Sequence, residues 1–186
     1  MKKLLIGIFL TFFSFSFAAS TPEKAFDEFM MKLKNKDFYY ETTLPGELDE
    51  FSKEQVEIFV NFYVKQSSKV TYQIISNKKI NNKKAVLKVK VKYPSVKKYE
   101  AEIMGEMIKK MYPNFDTISE EEAMSIVLGE VSKILDKSDL EYEEKTLDFQ
   151  MVKNSSDWSS DDDDEKTEEN TYILLLGGIM ELFDNL

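Results

Sequence analysis

Apolar positions along the chain switch between a helical and a strand period, and each switch marks an element. In "TPEKAFDEFMMKL", Thr21 is placed to cap a helix and Pro22 to occupy its first turn, while Ala25, Phe26, Phe29, Met30 and Leu33 share one face. The pattern breaks at Asn35, and a short second helix capped by Asp37 is expected next. A third helix is predicted over "SKEQVEIFVNFYVKQ", where Ser52 and Gln55 stand at capping-box spacing and Val56, Phe59, Val60 and Tyr63 form the apolar stripe. The period then falls to two: Val70, Tyr72 and Ile74 alternate with Thr71 and Gln73, and Leu87, Val89, Val91 and Tyr93 alternate with Lys88, Lys90 and Lys92. Joined by the turn "KKINNKK", these runs predict a β-hairpin with one apolar and one charged face.

Residues 95–136 return to helical spacing, with Val96, Tyr99, Ile103, Met107 and Met111 in one stripe. Pro113 interrupts, and "SEEEAMSIVLGEVSKIL" restarts with Ser119 and Glu122 as a second capping box. "DLEYEEKTLDFQMVK" reads as a third strand with a phase slip. Leu140 and Tyr142 fall on even positions but Leu147, Phe149 and Met151 on odd ones, so a bulge near Glu143–Thr146 is expected. A short strand carrying Trp158 should follow. "NTYILLLGGIMELFDNL" suits a buried C-terminal helix, with a terminal strand over Tyr172–Leu176 as the alternative.

The first 18 residues change the picture of where these elements sit. A basic start at Lys2 and Lys3, an apolar run from Leu4 to Phe17 and small residues at Ala18 make the pattern of a signal peptide, cut after Ala18. The remainder, residues 19–186, is expected to be one secreted or periplasmic α+β domain without a membrane span. The chain holds no Cys, no His and no Arg, which argues against thiolate and histidine catalysis, the common zinc sites and bidentate phosphate recognition. Net charge is −9, or −11 once Lys2 and Lys3 are removed, so nucleic acid is an improbable partner. Residues 65–98 carry eleven lysines and no acid, whereas 138–186 carry fifteen acids and three lysines. Neighbouring strands whose charges face each other are expected to account for both runs, with a polyanion-binding patch and a cation-binding tail as the alternative.

Candidate chemistry is sparse. In "DWSSDDDDEKTEE", Asp157, Ser159, Asp161, Asp163, Glu165 and Glu168 fall at the ligand positions of a calcium loop, but Asp162 stands where a glycine is needed, and a strand precedes it in place of a helix. Residues 159–169 are therefore expected to be a solvated acidic loop, with no metal and no cofactor.

The element order resembles the extracytoplasmic cystatin-like and nuclear-transport-factor-2-like families of small bacterial domains. The likeness rests on "TPEKAFDEFMMKLKNKDF", on the hairpin "KVTYQIISNKKINNKKAVLKVKVKY" and on "LDFQMVKNSSDW". It implies a bent antiparallel sheet wrapped around the N-terminal helices as a cone, here with a helical insertion at 95–136 and a C-terminal helix. Phe29, Tyr39, Phe59, Tyr63, Tyr72, Val91 and Phe149 would then line a ligand site, together with Phe26, Leu87 and Val89. The expected function is non-enzymatic binding of an envelope protein, a peptide or a small apolar ligand. Two alternatives stand beside it: an assembly subunit, homo-oligomer included, that uses the apolar C-terminal segment, and a ketosteroid-isomerase-like enzyme pairing a carboxylate with Tyr72 or Tyr93.

Overall fold

A computed structural model describes residues 19–42, 52–114, 117–161, 163–177 and 179. The expected signal peptide at 1–18, Asp162 and the tail at 180–186 lie outside the described residues. The architecture is α+β: helices pack on one face of a four-stranded antiparallel sheet of order β1-β2-β3-β4.

Helix α1 (Pro22–Lys32) starts as its sequence dictates, with the Thr21 hydroxyl accepting from the Lys24 N–H and proline in the first turn. Helix α2 spans Lys36–Thr42. Its start is held by Asn35, whose side-chain oxygen accepts from the Asp37 N–H at 3.0 Å, so Asn35 replaces Asp37 as the expected cap. Helix α3 (Lys53–Lys69) opens with the full capping box of Ser52 and Gln55. The insertion holds a 3-10 turn (Lys97–Tyr99), α4 (Glu100–Met111), a second 3-10 turn (Tyr112–Asn114) that contains Pro113, and α5 (Glu120–Ile134) capped by Ser119. Helix α6 (Glu165–Leu176) closes the described fold and decides Tyr172–Leu176 as helix.

Strands β1 (Thr71–Lys79) and β2 (Lys84–Pro94) form the expected hairpin, and β2 pairs with β3 (Tyr142–Asn154). That second register runs without a break from Lys84↔Val152 to Pro94↔Tyr142, so the expected bulge at Glu143–Thr146 is absent. The phase slip has another cause. Tyr142 points outward, where the Lys92 ammonium lies 5.3 Å from its ring, and the inward position beside it is Glu143, held by the Tyr93 and Ser95 hydroxyls at 3.2 and 2.5 Å. A register shift occurs in β1 instead, between Ile74 and Ser76, and turns Ile75 out to solvent.

The inner face of the sheet presents Leu87, Val89, Val91, Tyr93, Leu147, Phe149 and Met151 to a core completed by α1, α3, α5 and α6. The outer face carries Lys88, Lys90 and Lys92 opposite Asp148, Thr146 and Glu144, with Lys90 and Glu144 in a 2.7 Å ion pair. Strand β4 (Asp157–Ser160) covers only the end of β3, and α6 covers the next stretch. The Gln150 N–H donates to the Thr167 hydroxyl at 2.8 Å, and the Asn170 amide donates to the Asp148 carbonyl at 2.7 Å. Side chains of a helix thus satisfy main-chain groups that an edge would otherwise expose.

Candidate functional site

The side chains expected to line a cone fill it. Phe26 packs on Phe149 and Tyr72 with ring centroids 4.8 and 5.3 Å apart, and Phe29 approaches from the same helix at 6.4 Å. Tyr39 and Tyr63 stack at 5.7 Å in a second cluster, where Tyr39 donates to the Leu33 carbonyl. Burial holds both phenols far above their ordinary range. Phe59 and Val91 are buried in the same core, while Phe29 and Tyr72 are only half-buried. The seven residues therefore divide between two aromatic clusters and the surrounding apolar packing. The described part of the apolar C-terminal segment is likewise used internally, with Leu174, Leu175, Leu176 and Ile179 all buried.

Two tyrosine–carboxylate pairs bear on the acid–base alternative. Tyr72 donates to Asp27 of α1 at 2.8 Å, but Asp27 is exposed on the surface and not held in an apolar pocket. Glu143 does face inward beside Tyr93, yet each of its oxygens accepts a hydroxyl from the sheet end, from Tyr93 and from Ser95. Both pairs tie elements together.

The acidic stretch is built structure, which corrects the expected loop at 159–169. Asp157 and Ser159 belong to β4, whereas Glu165 and Glu168 belong to α6, so the calcium-loop spacing is divided between a strand and a helix. Asp164 caps α6: its carboxylate accepts from the Thr167 N–H at 2.9 Å and the Thr167 hydroxyl at 2.7 Å, and also from the Gln150 amide. Acids crowd at a helix start because the first turn presents unpaired N–H groups and the positive end of the macrodipole. Asp161 is buried and accepts from Lys84 at 3.1 Å.

An open cleft of about 540 Å³ lies elsewhere, where the start of α3 meets α5 and the end of α4. Its floor is Ile58, Ile126 and Gly129, and its rim carries Ser52, Gln55, Ser119, Glu122, Lys110 and Lys133. Gly129 sits in mid-helix with nothing within 4 Å of where a Cβ would stand, so it leaves the floor open at a cost in helix propensity of about 1 kcal/mol. Beside it, the buried Glu130 carboxylate accepts from Lys110 at 2.5 Å and from Lys133 at 2.8 and 3.0 Å. Burial alone would push that carboxyl up, but the two ammonium groups outweigh it and hold the pKa below its ordinary 4.5. Around the apolar floor the lining therefore carries two lysines, both held by the buried carboxylate, and two further acids, Glu54 and Glu122, so charges of both signs border the cleft. The arrangement suits a ligand with an apolar body and polar groups at its edge, such as a peptide. A glycine inside the apolar stripe of "SIVLGEV" is the one trace of this cleft in the sequence, because Lys110 meets Glu130 only through the packing of two helices.

No family model matches the chain, and a search of curated proteins finds no match. Among solved structures, YcdA from Bacillus subtilis subsp. subtilis str. 168, described as a "putative lipoprotein", aligns at 21% identity and a TM-score of 0.46. The alignment covers 80% of this chain and 45% of that one, so this chain spans less than half the length of YcdA. A likeness at that level assigns neither family nor function.

Proposed function

We propose that this protein is an extracytoplasmic, non-enzymatic binding module that holds a short peptide or a small ligand of mixed apolar and polar character in the cleft between α3 and α5. The cleft itself carries the proposal: about 540 Å³ over Ile58, Ile126 and Gly129, within the size range of ligand sites and rimmed by Lys110 and Lys133. The signal-peptide pattern at 1–18 supports the location. The resemblance to cystatin-like and nuclear-transport-factor-2-like domains supports binding as the role, but the site is moved from the cone to its helical cap. A chain without Cys or His has no thiolate nucleophile and no imidazole base, which supports a non-enzymatic reading.

Amide chemical-shift mapping with pools of short peptides and of small apolar molecules bearing one polar group tests the proposal. Saturable shifts are expected at Ile58, Ile126 and Gly129. Gly129→Leu, which fills open space, should weaken them at least about tenfold, the equivalent of ~1.4 kcal/mol. Shifts clustered on Phe29, Tyr72 and Phe149 would return the site to the cone, and the absence of saturable shifts would defeat the cleft.

A further inference from the structure

The tip of the β1–β2 hairpin is a rigid, basic, apolar-pointed surface. The Asn81 side-chain oxygen accepts from the N–H groups of Lys83 and Lys84 at 2.7 and 2.8 Å, and the Ile80 N–H donates to the Lys84 carbonyl at 2.9 Å, which fixes the turn. This bracing leaves Ile80 54% exposed at the apex. Lys78, Lys79 and Lys83 surround it in the open, and Lys153 joins them because its N–H donates to the Lys83 carbonyl at 2.8 Å. None of these four lysines has an ion pair among the described residues. Three described acids share this end: Asp161 is paired with Lys84, while Glu23, which accepts from the neutral Asn77 amide, and Asp157, opposite Asn154, keep their charge and are outnumbered by the four lysines. A chain of net charge −9 thus concentrates unpaired positive charge on one end. Between Lys79, Lys153 and Trp158 lies a second open cleft of about 420 Å³.

The point where the apolar residues 1–18 join the fold lies at this same end. The Trp158 N–H donates to the Ala19 carbonyl at 3.0 Å, and Trp158 pairs with Lys153. We propose that the hairpin tip docks on an anionic lipid surface, with Ile80 entering the interface and Lys78, Lys79, Lys83 and Lys153 meeting headgroup phosphates. Charge complementarity selects this occupant: lysines clustered around one exposed apolar side chain match an anionic surface with an apolar layer beneath it. The negative charge elsewhere does not cancel the attraction, since at physiological salt it is screened beyond about 8 Å.

The test measures partitioning of the full chain carrying Lys2→Ala and Lys3→Ala onto phosphatidylcholine vesicles with and without phosphatidylglycerol, so that the ratio of the two leaves out both the apolar and the basic contribution of residues 1–18. Anionic vesicles should be preferred, and added salt should erase the preference. Lys79→Ala with Lys83→Ala should lower it roughly 30-fold, at about 1 kcal/mol per lysine near such a surface. The equally neutralising pair Lys53→Ala with Lys97→Ala should leave it unchanged. Equal loss in both double variants, no preference for anionic vesicles, or binding to inorganic polyphosphate with none to vesicles would each overturn the proposal.

Discussion

Gly177 shows what a single residue decides. It follows the last turn of α6 at φ 57° and ψ −138°, a region open essentially to glycine alone. A Cβ there would stand 2.7 Å from the Gln66 amide nitrogen and 3.0 Å from the Pro94 carbonyl. Gly177→Ala is therefore expected to lower stability by about 2–3 kcal/mol, whereas Gly105→Ala, in the middle of α4 with open space around it, should raise it by about 0.5–1 kcal/mol. Urea midpoints moving in opposite directions at unchanged slope would verify the pair. Sequence patterning distinguishes these glycines poorly. Gly177 reads as an interruption of an apolar run and Gly105 as one weak helix position, and only the approach of α3 and β2 makes the first indispensable.

Among the elements, helix starts and the hairpin were legible because their signals are local. Thr21, Ser52 and Ser119 all cap as their spacing implies, and the alternation of valines and lysines in β2 sets its two faces. The start of α6 was not legible, since a run of like charges suggests repulsion and a solvated loop until one of those acids is seen capping a helix. Asp164→Ala removes that cap and also the partner of the Gln150 amide, with an expected loss of about 1–2 kcal/mol. Asp163→Ala, an exposed neighbour, should cost less than about 0.5 kcal/mol. Because Trp158 is only 6% exposed in the adjoining β4, its emission should start blue-shifted and report both unfolding midpoints. The missing bulge in β3 has a comparable origin: a polar residue on the inward phase, Glu143, looks like a change of face when its partners are Tyr93 in β2 and Ser95 just beyond that strand's end.

The whole molecule divides its charge between a lysine-rich hairpin and acidic elements at the other side of the sheet, and this division was visible in composition. The cleft was not, because it exists only where three helices meet. Acid sensitivity belongs to this scale. Glu130 is held below its ordinary value of 4.5 by Lys110 and Lys133, against the opposing effect of burial, and Glu144 is lowered by Lys90. A carboxyl with a depressed pKa contributes stability that is complete above its unfolded value and disappears as pH falls through the folded one. Stability should accordingly hold from neutral pH to about 5 and decline below about 4.5, with a shallower decline in Glu130→Gln; unfolding midpoints across that range measure it.

The bond between the Trp158 N–H and the Ala19 carbonyl bears on the order of events in the life of the chain. Ala19 is 1% exposed and already holds a place beside β4. A peptidase cutting between Ala18 and Ala19 needs several residues on each side extended and unpaired in its own groove, and the completed sheet withholds one of them. If the pattern at 1–18 is that of a leader, its removal and the closing of the sheet compete for the same stretch of backbone. Were the chain cut there, the new amino group of Ala19 would stand on the strand end that Trp158 shares with Lys153, one more positive charge at the hairpin tip.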